Sequence, residues 1–336
     1  MTVRPPTGGR TPIPDLAEGS LMTAQETRRV ERPPSKAAGG TDVPRRTPRR
    51  GARRKASAIA MMFVLPYLLI FLAFRIVPAF GGMGLSVSDY SLSGDISYVG
   101  GENFSRLFAD DLFWNALRVT LVYSVIAVPL VVIVSLFMAH LASRSIRGIK
   151  VYRAAFFLPV ITSLVTTAVI WQWIYSSDGP INWFLGVFGI GPVPWLGSSI
   201  AVLPALAVVA AWSRFGYDML ILMAGMLDIP QDYYDAAGLD GANAWQRFNF
   251  ITLPGLRRPL FFVVILEIVT SFQVFDLIYV MTGGGPVTAS YSLVFMIYDQ
   301  GFGYFNFGYA SAAGVVLLVI TLVVSAVQRL YLKDED

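Results

Sequence analysis

Apolar runs alternate with polar segments along the chain from residue 58 onward. Each run is close to the roughly 20 residues that an α-helix needs to cross the hydrocarbon core of a membrane. Several runs contain a proline, and a bilayer tolerates such kinked helices only where neighbouring helices satisfy the freed carbonyls. The pattern therefore predicts an all-α fold, a bundle of six transmembrane helices. The predicted spans are 58–79, 116–140, 154–175, 200–226, 259–281 and 308–331.

Composition agrees with a membrane protein and removes several other classes. Hydrophobic residues make up 55% of the 336 positions and charged residues only 14%, which is far more apolar than a soluble domain needs to be. The chain has no cysteine and one histidine, His140, so neither thiol chemistry nor a metal cluster of cysteines or histidines is expected. It also has no P-loop sequence for nucleotide hydrolysis. We predict a protein that is not an enzyme and that holds no metal.

Basic residues collect in segments that the positive-inside rule assigns to the cytoplasm. The amino-terminal tail holds 13 of the 26 basic residues, and further clusters lie at 141–153, at 228–258 and near the carboxyl end. The intervening loops hold Arg106 against several acids. We therefore expect a multi-pass protein of the plasma (inner) membrane, with both termini and the 228–258 segment in the cytoplasm.

Residues 1–57 form a separate block that is rich in Pro, Gly, Arg and Thr and ends in a dense basic run. Such a segment cannot bury a core, so we predict a disordered cytoplasmic tail. A basic run can bind nucleic acid, but beside a membrane span it is more often a topology signal attracted to anionic lipid. No nucleic-acid partner is expected. At the other end, residues 333–336 are predicted to form a short cytoplasmic terminus.

The polar segment 228–258 separates two long apolar runs. Pro230 suits the first position of a helix, and Asp235 falls near the start, where the helix dipole favours negative charge. Gly241 has no Cβ and can take the positive φ that a reversal between two helices needs. Pro254 is expected to end the second helix. The segment therefore predicts two short helices around a tight turn.

This segment resembles the EAA loop of importer-type ABC permeases, in which Glu-Ala-Ala is followed by Gly and then by Ile-x-Leu-Pro. Here Asp235 stands where Glu is usual, and the pattern ends at Ile251, Leu253 and Pro254. An ordinary amphipathic loop is the alternative, which a match over about 25 residues disfavours. The resemblance implies a coupling helix that a separate ATPase grips. The residues implied are Asp235, Ala236, Ala237, Gly238, Asp240, Gly241, Ala242, Leu253 and Pro254.

A second stretch, 270–286, looks like the fifth-span signature of carbohydrate ABC permeases of the maltose and glycerol-3-phosphate type. The run Phe156-Phe157-Leu158-Pro159 lies ahead of it, and the similarity covers residues 58–332. The resemblance implies that these residues form a permease domain with the type I ABC importer fold. It also implies that the chain is the first permease of a heterodimer.

Several partners follow from the resemblance. A second, homologous permease would complete the pathway, and two copies of a cytosolic ABC ATPase would grip the coupling loops. An extracytoplasmic binding protein or lipoprotein would deliver a sugar or sugar derivative. ATP and Mg²⁺ would bind to the ATPase, so no cofactor is expected on this chain. Closure of the ATPases would move the coupling helix and switch the pathway between its inward- and outward-facing forms.

Polar and aromatic residues inside the apolar runs indicate the substrate path, because a polar side chain in lipid is costly and usually faces a cavity or another helix. Gln273 and Asp276 lie three apart and so on one helical face. Arg214 and Asp218 lie four apart, which leaves open a structural ion pair or a place in the pathway. By resemblance to the maltose-type permease, the pathway residues are Arg214, Phe215, Gly216, Tyr217, Phe272, Gln273 and Asp276.

Aromatic residues also mark the segments 176–199 and 282–307. An interfacial belt of Trp and Tyr explains most of them. A surface that receives the ligand from the binding protein is the second interpretation.

Other functions stay open at this stage. Arg214 leaves room for an anionic polyol phosphate as cargo. An ion-coupled secondary carrier should show paired intramembrane carboxylates and repeated halves, and the sequence shows neither. A channel needs a selectivity segment, for which the glycines at 283–285 are poorly suited. A membrane scaffold would not explain the coupling loop.

Overall fold

The computed structural model of the protein describes residues 50–90, 96–144 and 148–333. The described residues from Phe63 onward belong to one compact unit, which contains both predicted sites. Most of the predicted disordered tail and nearly all of the 333–336 terminus lie outside the described residues. The first helix begins at Arg50, so helical structure reaches into the block that was predicted to be disordered.

The first half of the described chain is helical apart from one short antiparallel ribbon, in which Ser88 pairs with Tyr98. A π-helical turn, Leu72–Ile76, joins the first two helices. The elements are α1 (Arg50–Phe71), α2 (Val77–Ser86), β1 (Ser88–Tyr90), β2 (Ile96–Tyr98), α3 (Glu102–Phe108), α4 (Asp111–Ser143), α5 (Ile149–Ile161), α6 (Leu164–Ile174) and α7 (Pro180–Val187).

The second half carries both predicted sites. Two further π-helical turns, Phe248–Thr252 and Asp299–Gly303, lie between its helices. The elements are α8 (Val202–Asp228), α9 (Gln231–Leu239), α10 (Ala244–Arg247), α11 (Leu253–Gly255), α12 (Arg257–Phe272), α13 (Asp276–Met281), α14 (Leu293–Tyr298) and α15 (Phe307–Lys333).

Within the described ranges, four helical stretches are long and apolar enough to cross a membrane: Met61–Ser86, Asp111–Ser143, Val202–Asp228 and Phe307–Gln328. The predicted third span is instead the pair α5 and α6, which meet at 96° and together could make one broken span. The predicted fifth span, 259–281, is divided into α12 and α13. The all-α fold is confirmed, but the exact count of six spanning helices is not.

The break between α12 and α13 has a physical basis in its hydrogen bonds. The helix ends at Phe272, and Phe275 takes a non-helical φ of −136° before α13 starts. The freed carbonyl of Val274 accepts a hydrogen bond from Ser292 Oγ at 3.0 Å. At the far end of α13, Gln172 donates to the carbonyl of Val280 at 2.8 Å. Non-helical backbone at membrane depth persists only where neighbouring residues form hydrogen bonds with its unpaired N–H and C=O groups.

The core forms where α4 runs along α8, with α5 and α12 packed beside them. Small residues let these helices approach closely, as is usual where helices associate in membranes. A Cβ at Gly216 would collide with the Phe156 carbonyl of α5. Between α4 and α12, Ser271 Oγ donates to Ser124 Oγ at 2.8 Å. These contacts hold α8 and α12 on either side of the cavity described next.

Candidate functional site

The predicted coupling loop is a pair of short helices that meet at a sharp turn. α9 ends at Leu239, and α10 begins after Asn243. Gly241 lies in the turn with a φ of +76°, a left-handed conformation that residues with a Cβ rarely adopt. The prediction of two helices that reverse at Gly241 is confirmed.

One detail of that prediction was wrong. Pro230 is the residue that precedes α9 rather than its first helical position. Pro254 lies at the end of the second helical piece, as expected, because the continuous helical run that begins at Ala244 ends one residue later, at Gly255.

Hydrogen bonds inside the loop fix the angle between α9 and α10. Asn243 and Gln246 form a capping box, in which each side-chain oxygen accepts from the other backbone N–H at 2.9 and 2.8 Å. Arg247 Nε donates to the Ala242 carbonyl at 2.9 Å. Its guanidinium lies beside Gly238, where an added Cβ would be 3.4 Å from Nη2. The capping box could have been predicted from the sequence, because an Asn followed three residues later by Gln is the spacing that the motif requires.

Asp235, the acid that replaces the usual Glu, lies exposed on α9. It accepts a hydrogen bond from Gln231 Nε2 at 3.2 Å, one turn earlier on the same helix. The hydroxyls of Tyr234 and Thr252 are hydrogen-bonded at 2.9 Å, and Thr252 is buried. The loop is therefore anchored through Tyr234, while the Asp235 carboxylate stays at the surface.

The surface of this loop is apolar as well as exposed. Leu239 is 92% exposed, and the rings of Trp245 and Phe250 are also largely uncovered. Beside α9 lies a cleft of about 570 Å³, whose wall includes Ala236 and Ala237. Apolar side chains grouped in this way on a polar segment are typical of a protein-docking surface.

A second site is a cavity of about 520 Å³ lined by residues of α4, α5, α6, α8 and α12 and by the break before α13. Four of the seven predicted pathway residues line it: Arg214, Tyr217, Gln273 and Asp276. Gln273 and Asp276 do not share a helical face, because Gln273 caps α12 and Asp276 begins α13. The break brings both to the same cavity.

The other three predicted pathway residues lie outside the cavity lining. The Phe215 ring is buried and meets the Phe156 ring edge-on at 6.3 Å. Gly216 faces α5, where an added Cβ would be 2.9 Å from Val160 Cγ2. Phe272 is buried at the end of α12. Their contacts are those of helix packing.

The arginine of α8 pairs across the cavity wall with an acid of α12. Arg214 Nε lies 3.0 and 2.9 Å from the two carboxylate oxygens of Glu267, and Arg214 Nη2 lies 2.5 Å from Oε1. The interpretation of Arg214 and Asp218 as an ion pair is therefore wrong for this conformation. The true partners lie 53 residues apart, so no local spacing rule could have found them.

The comparison with known families decides the identity of the chain. The family described as "Binding-protein-dependent transport system inner membrane component" matches residues 147–334, which include the coupling loop and the cavity residues of α8 and α12. The chain belongs to this family. Members are the inner-membrane components, or permeases, of binding-protein-dependent transport systems.

Similar proteins extend the match over most of the permease. It is 35% identical to the "Probable ABC transporter permease protein YesP" of Bacillus subtilis over 80% of the permease and 88% of that relative. It is 34% identical to the "Trehalose/maltose transport system permease protein MalF" of Thermococcus litoralis, over 81% and 92% of the two chains. These matches identify an ABC transporter permease.

A solved structure supports the fold. A chain of a bacterial alginate ABC transporter, crystallised with its alginate pentasaccharide-bound periplasmic protein, superposes with a TM-score of 0.70 at 23% identity. The match covers 83% of the permease and 96% of that chain. The permease therefore has the fold of ABC importer permeases.

Two aromatic residues outside the cavity have structural roles in the permease. In the 176–199 segment, buried Asn182 accepts hydrogen bonds from Val193 N and from Trp195 Nε1 at 3.0 and 3.1 Å. In the 282–307 segment, Tyr291 donates to Asp299 at 2.6 Å. Burial raises the pKa of Tyr291, and the Asp299 carboxylate raises it further, so the phenol remains a donor. Trp195 and Tyr291 order their loops, a role that the sequence did not predict.

Proposed function

We propose that the permease carries an uncharged sugar or sugar derivative inward through the cavity beside Arg214 and Glu267. The observation that carries the proposal is the composition of that wall. Tyr217 and Phe275 offer ring faces, while Gln273 and Asp276 offer groups that can bind hydroxyls. Apolar walls with a few polar anchors are the usual construction of small-ligand sites.

The charge balance of the cavity favours an uncharged cargo over an anionic polyol phosphate. Among the described residues that line it, Arg214 is the one cation, and Glu267 already neutralises it. Asp276, which is exposed to the cavity, adds a negative charge. A phosphate would meet net repulsion there, whereas sugar hydroxyls can bind both to the ion pair and to Asp276.

The coupling loop supports ATP-driven alternating access as the mechanism. Its fixed angle and exposed apolar surface suit a lever that a cytosolic ATPase grips and moves. In this proposal two ATPase copies bind and hydrolyse Mg-ATP, and a second, homologous permease completes the pathway. The binding protein delivers the sugar from outside, and both termini and the 228–258 segment face the cytoplasm. An ion-coupled secondary carrier would have no use for such a loop.

Reconstitution tests this function. The complete transporter, with its ATPases and its binding protein, is placed in vesicles and offered labelled neutral disaccharides, the matching uronic-acid sugars and glycerol 3-phosphate. We expect ATP-dependent accumulation of a neutral sugar. Accumulation of the anionic compounds alone would contradict the uncharged substrate class, and accumulation of no carbohydrate with ATP would contradict the function.

A further inference from the structure

Asp218 is a buried acid that lies beside another acid. It is 1% exposed, and among the described residues its carboxyl interacts with the carboxyl of Glu267 but accepts no hydrogen bond from an N–H or hydroxyl donor. Buried polar groups in proteins are almost always paired, because removing a carboxylate from water without a compensating contact is unfavourable. An acid kept in this position therefore needs an explanation beyond packing.

A possible partner lies one turn away on the same helix. Arg214 and Asp218 are four apart on α8, a spacing that makes side chains neighbours on a helix surface. Arg214 interacts electrostatically with both Asp218 and Glu267. Since the arginine side chain is long and has several rotatable bonds, a change of rotamer can move its guanidinium from one acid towards the other.

We propose that Arg214 exchanges carboxylate partners during the transport cycle, pairing with Glu267 in the described conformation and with Asp218 in the alternate one. This inference rests on the alternating access of the proposed function. Asp218 is then a positioning residue: it holds Arg214 when Glu267 does not, and it needs no contact with the cargo.

The two pairings have different consequences for the helices. The bond to Glu267 joins α8 to α12 across the cavity wall, whereas a bond to Asp218 lies wholly within α8 and no longer ties the arginine to α12. Glu267 lines the cavity, so water can hydrate its carboxylate once the cavity opens. Asp218 is outside that lining, and Arg214 would neutralise it there. Each state thus leaves one acid without the arginine, so neither pairing satisfies both acids, and a change in the cavity can shift the balance between them.

Asp218→Asn tests the exchange. Asparagine has the shape of aspartate and can still form hydrogen bonds. Because it carries no negative charge, it cannot form an ion pair with Arg214. We expect the reconstituted transporter to lose about tenfold in both ATP turnover and uptake of the neutral disaccharide that the wild type accumulates. The matched control is Asp178→Asn, an exposed acid in the 176–199 segment, which should behave as wild type. Wild-type turnover by Asp218→Asn would show that residue 218 acts as a neutral group and would overturn the exchange.

A charge swap provides a second test in case Asp218→Asn lowers the yield of the complex. The double variant Arg214→Glu with Glu267→Arg restores an ion pair between α8 and α12, but the cation then belongs to α12, so no pairing within α8 remains. We expect the swapped complex to assemble with low ATP turnover. Recovery of turnover to the wild-type rate would mean that a fixed ion pair is sufficient and would refute the inference.

Different results would contradict the proposed function and the partner exchange. If the wild-type transporter accumulates no sugar, the proposed function is wrong, whatever the variants do. The ratio of variant to wild-type ATP turnover still tests the partner exchange in that case, because ATP hydrolysis requires no knowledge of the cargo.

Discussion

At the scale of single residues, local sequence rules found the turn but not the ion pair. Gly241 was predicted from its place between two helical segments, and its φ is positive as expected. The i, i+4 rule suggested Asp218 for Arg214, whereas the structure pairs Arg214 with Glu267. Glycine conformation is a local property, but a choice between two acids depends on which helix packs nearby. That information is not contained in local spacing.

Replacing Gly241 by valine should uncouple ATP hydrolysis from uptake. An added Cβ meets no atom within 4 Å, so the cost comes from the backbone conformation alone, about 1–2 kcal/mol for a residue with a side chain. Relief of that strain would change the angle between α9 and α10. We expect normal membrane insertion, continued ATP hydrolysis and reduced uptake in reconstituted vesicles.

Gly189→Val is the matched control for that change. Gly189 has a φ of +75° and also has open space around its Cβ position, but it lies far along the chain from the coupling loop. It should carry the same local strain and retain coupling. Equal uptake by the two variants, whether high or low, would contradict a specific role for the turn at Gly241.

Gln273→Ala and Asp276→Ala should each lower uptake while leaving assembly and the basal ATPase rate intact. Each removes one polar anchor from the cavity, and a hydrogen bond lost from a binding site weakens binding by roughly 0.5–1.5 kcal/mol. Initial rates of uptake across a range of sugar concentrations would measure this loss. Phe272→Leu, a change beside the cavity lining, serves as the control. Wild-type rates by both alanine variants would remove these residues from the site.

At the scale of elements, hydrophobicity predicted where the helices lie but not where they break. The span 116–140 falls within one long helix, α4, and the span 200–226 agrees with another, α8, to within two residues at each end. The spans 154–175 and 259–281 are divided, because hydropathy does not record hydrogen bonds made by distant residues. Gln172 and Ser292 donate hydrogen bonds to backbone carbonyls at the two ends of α13, and both residues lie outside the 259–281 segment.

Ser292→Ala should destabilise the break and misplace the cavity anchors. The hydroxyl donates to the Val274 carbonyl and accepts from the Phe295 N–H, so its loss leaves two backbone groups unpaired in a buried place. We expect a loss of about 1–3 kcal/mol in the free energy of unfolding, together with slower uptake. Thermal unfolding of the purified complex would measure it.

The control for Ser292 is Ser176→Ala. That hydroxyl donates to the Trp173 carbonyl at 2.8 Å but is exposed, so water can replace the bond. The control should change the unfolding temperature little. If Ser292→Ala is as stable as Ser176→Ala, the break does not depend on the serine.

At the scale of the whole molecule, one helix, α8, joins the cavity to the coupling loop. α8 carries Arg214 in the cavity wall and ends directly before the coupling loop, at Asp228. α12 starts just after that loop and carries Glu267. In the proposed mechanism, a movement of the loop is transmitted along both helices to the two residues that face each other in the wall. The family and the fold could be recognised from the apolar runs, the coupling loop and the 270–286 stretch, but this connection could not.

The most direct test of the account is a cross-link from the coupling loop to the ATPase. The chain has no cysteine, so Leu239→Cys, at a position that is 92% exposed on the loop, places one thiol in this subunit. Val287→Cys, at a position that is 96% exposed in the 282–307 segment, is the control for the opposite side of the membrane. We predict that Cys at 239 cross-links to the ATPase and reacts with impermeant maleimide only from the cytoplasmic side, while Cys at 287 does neither. Labelling at 239 from the outside, or a complex in which no ATPase is within cross-linking reach of it, would contradict the central claim.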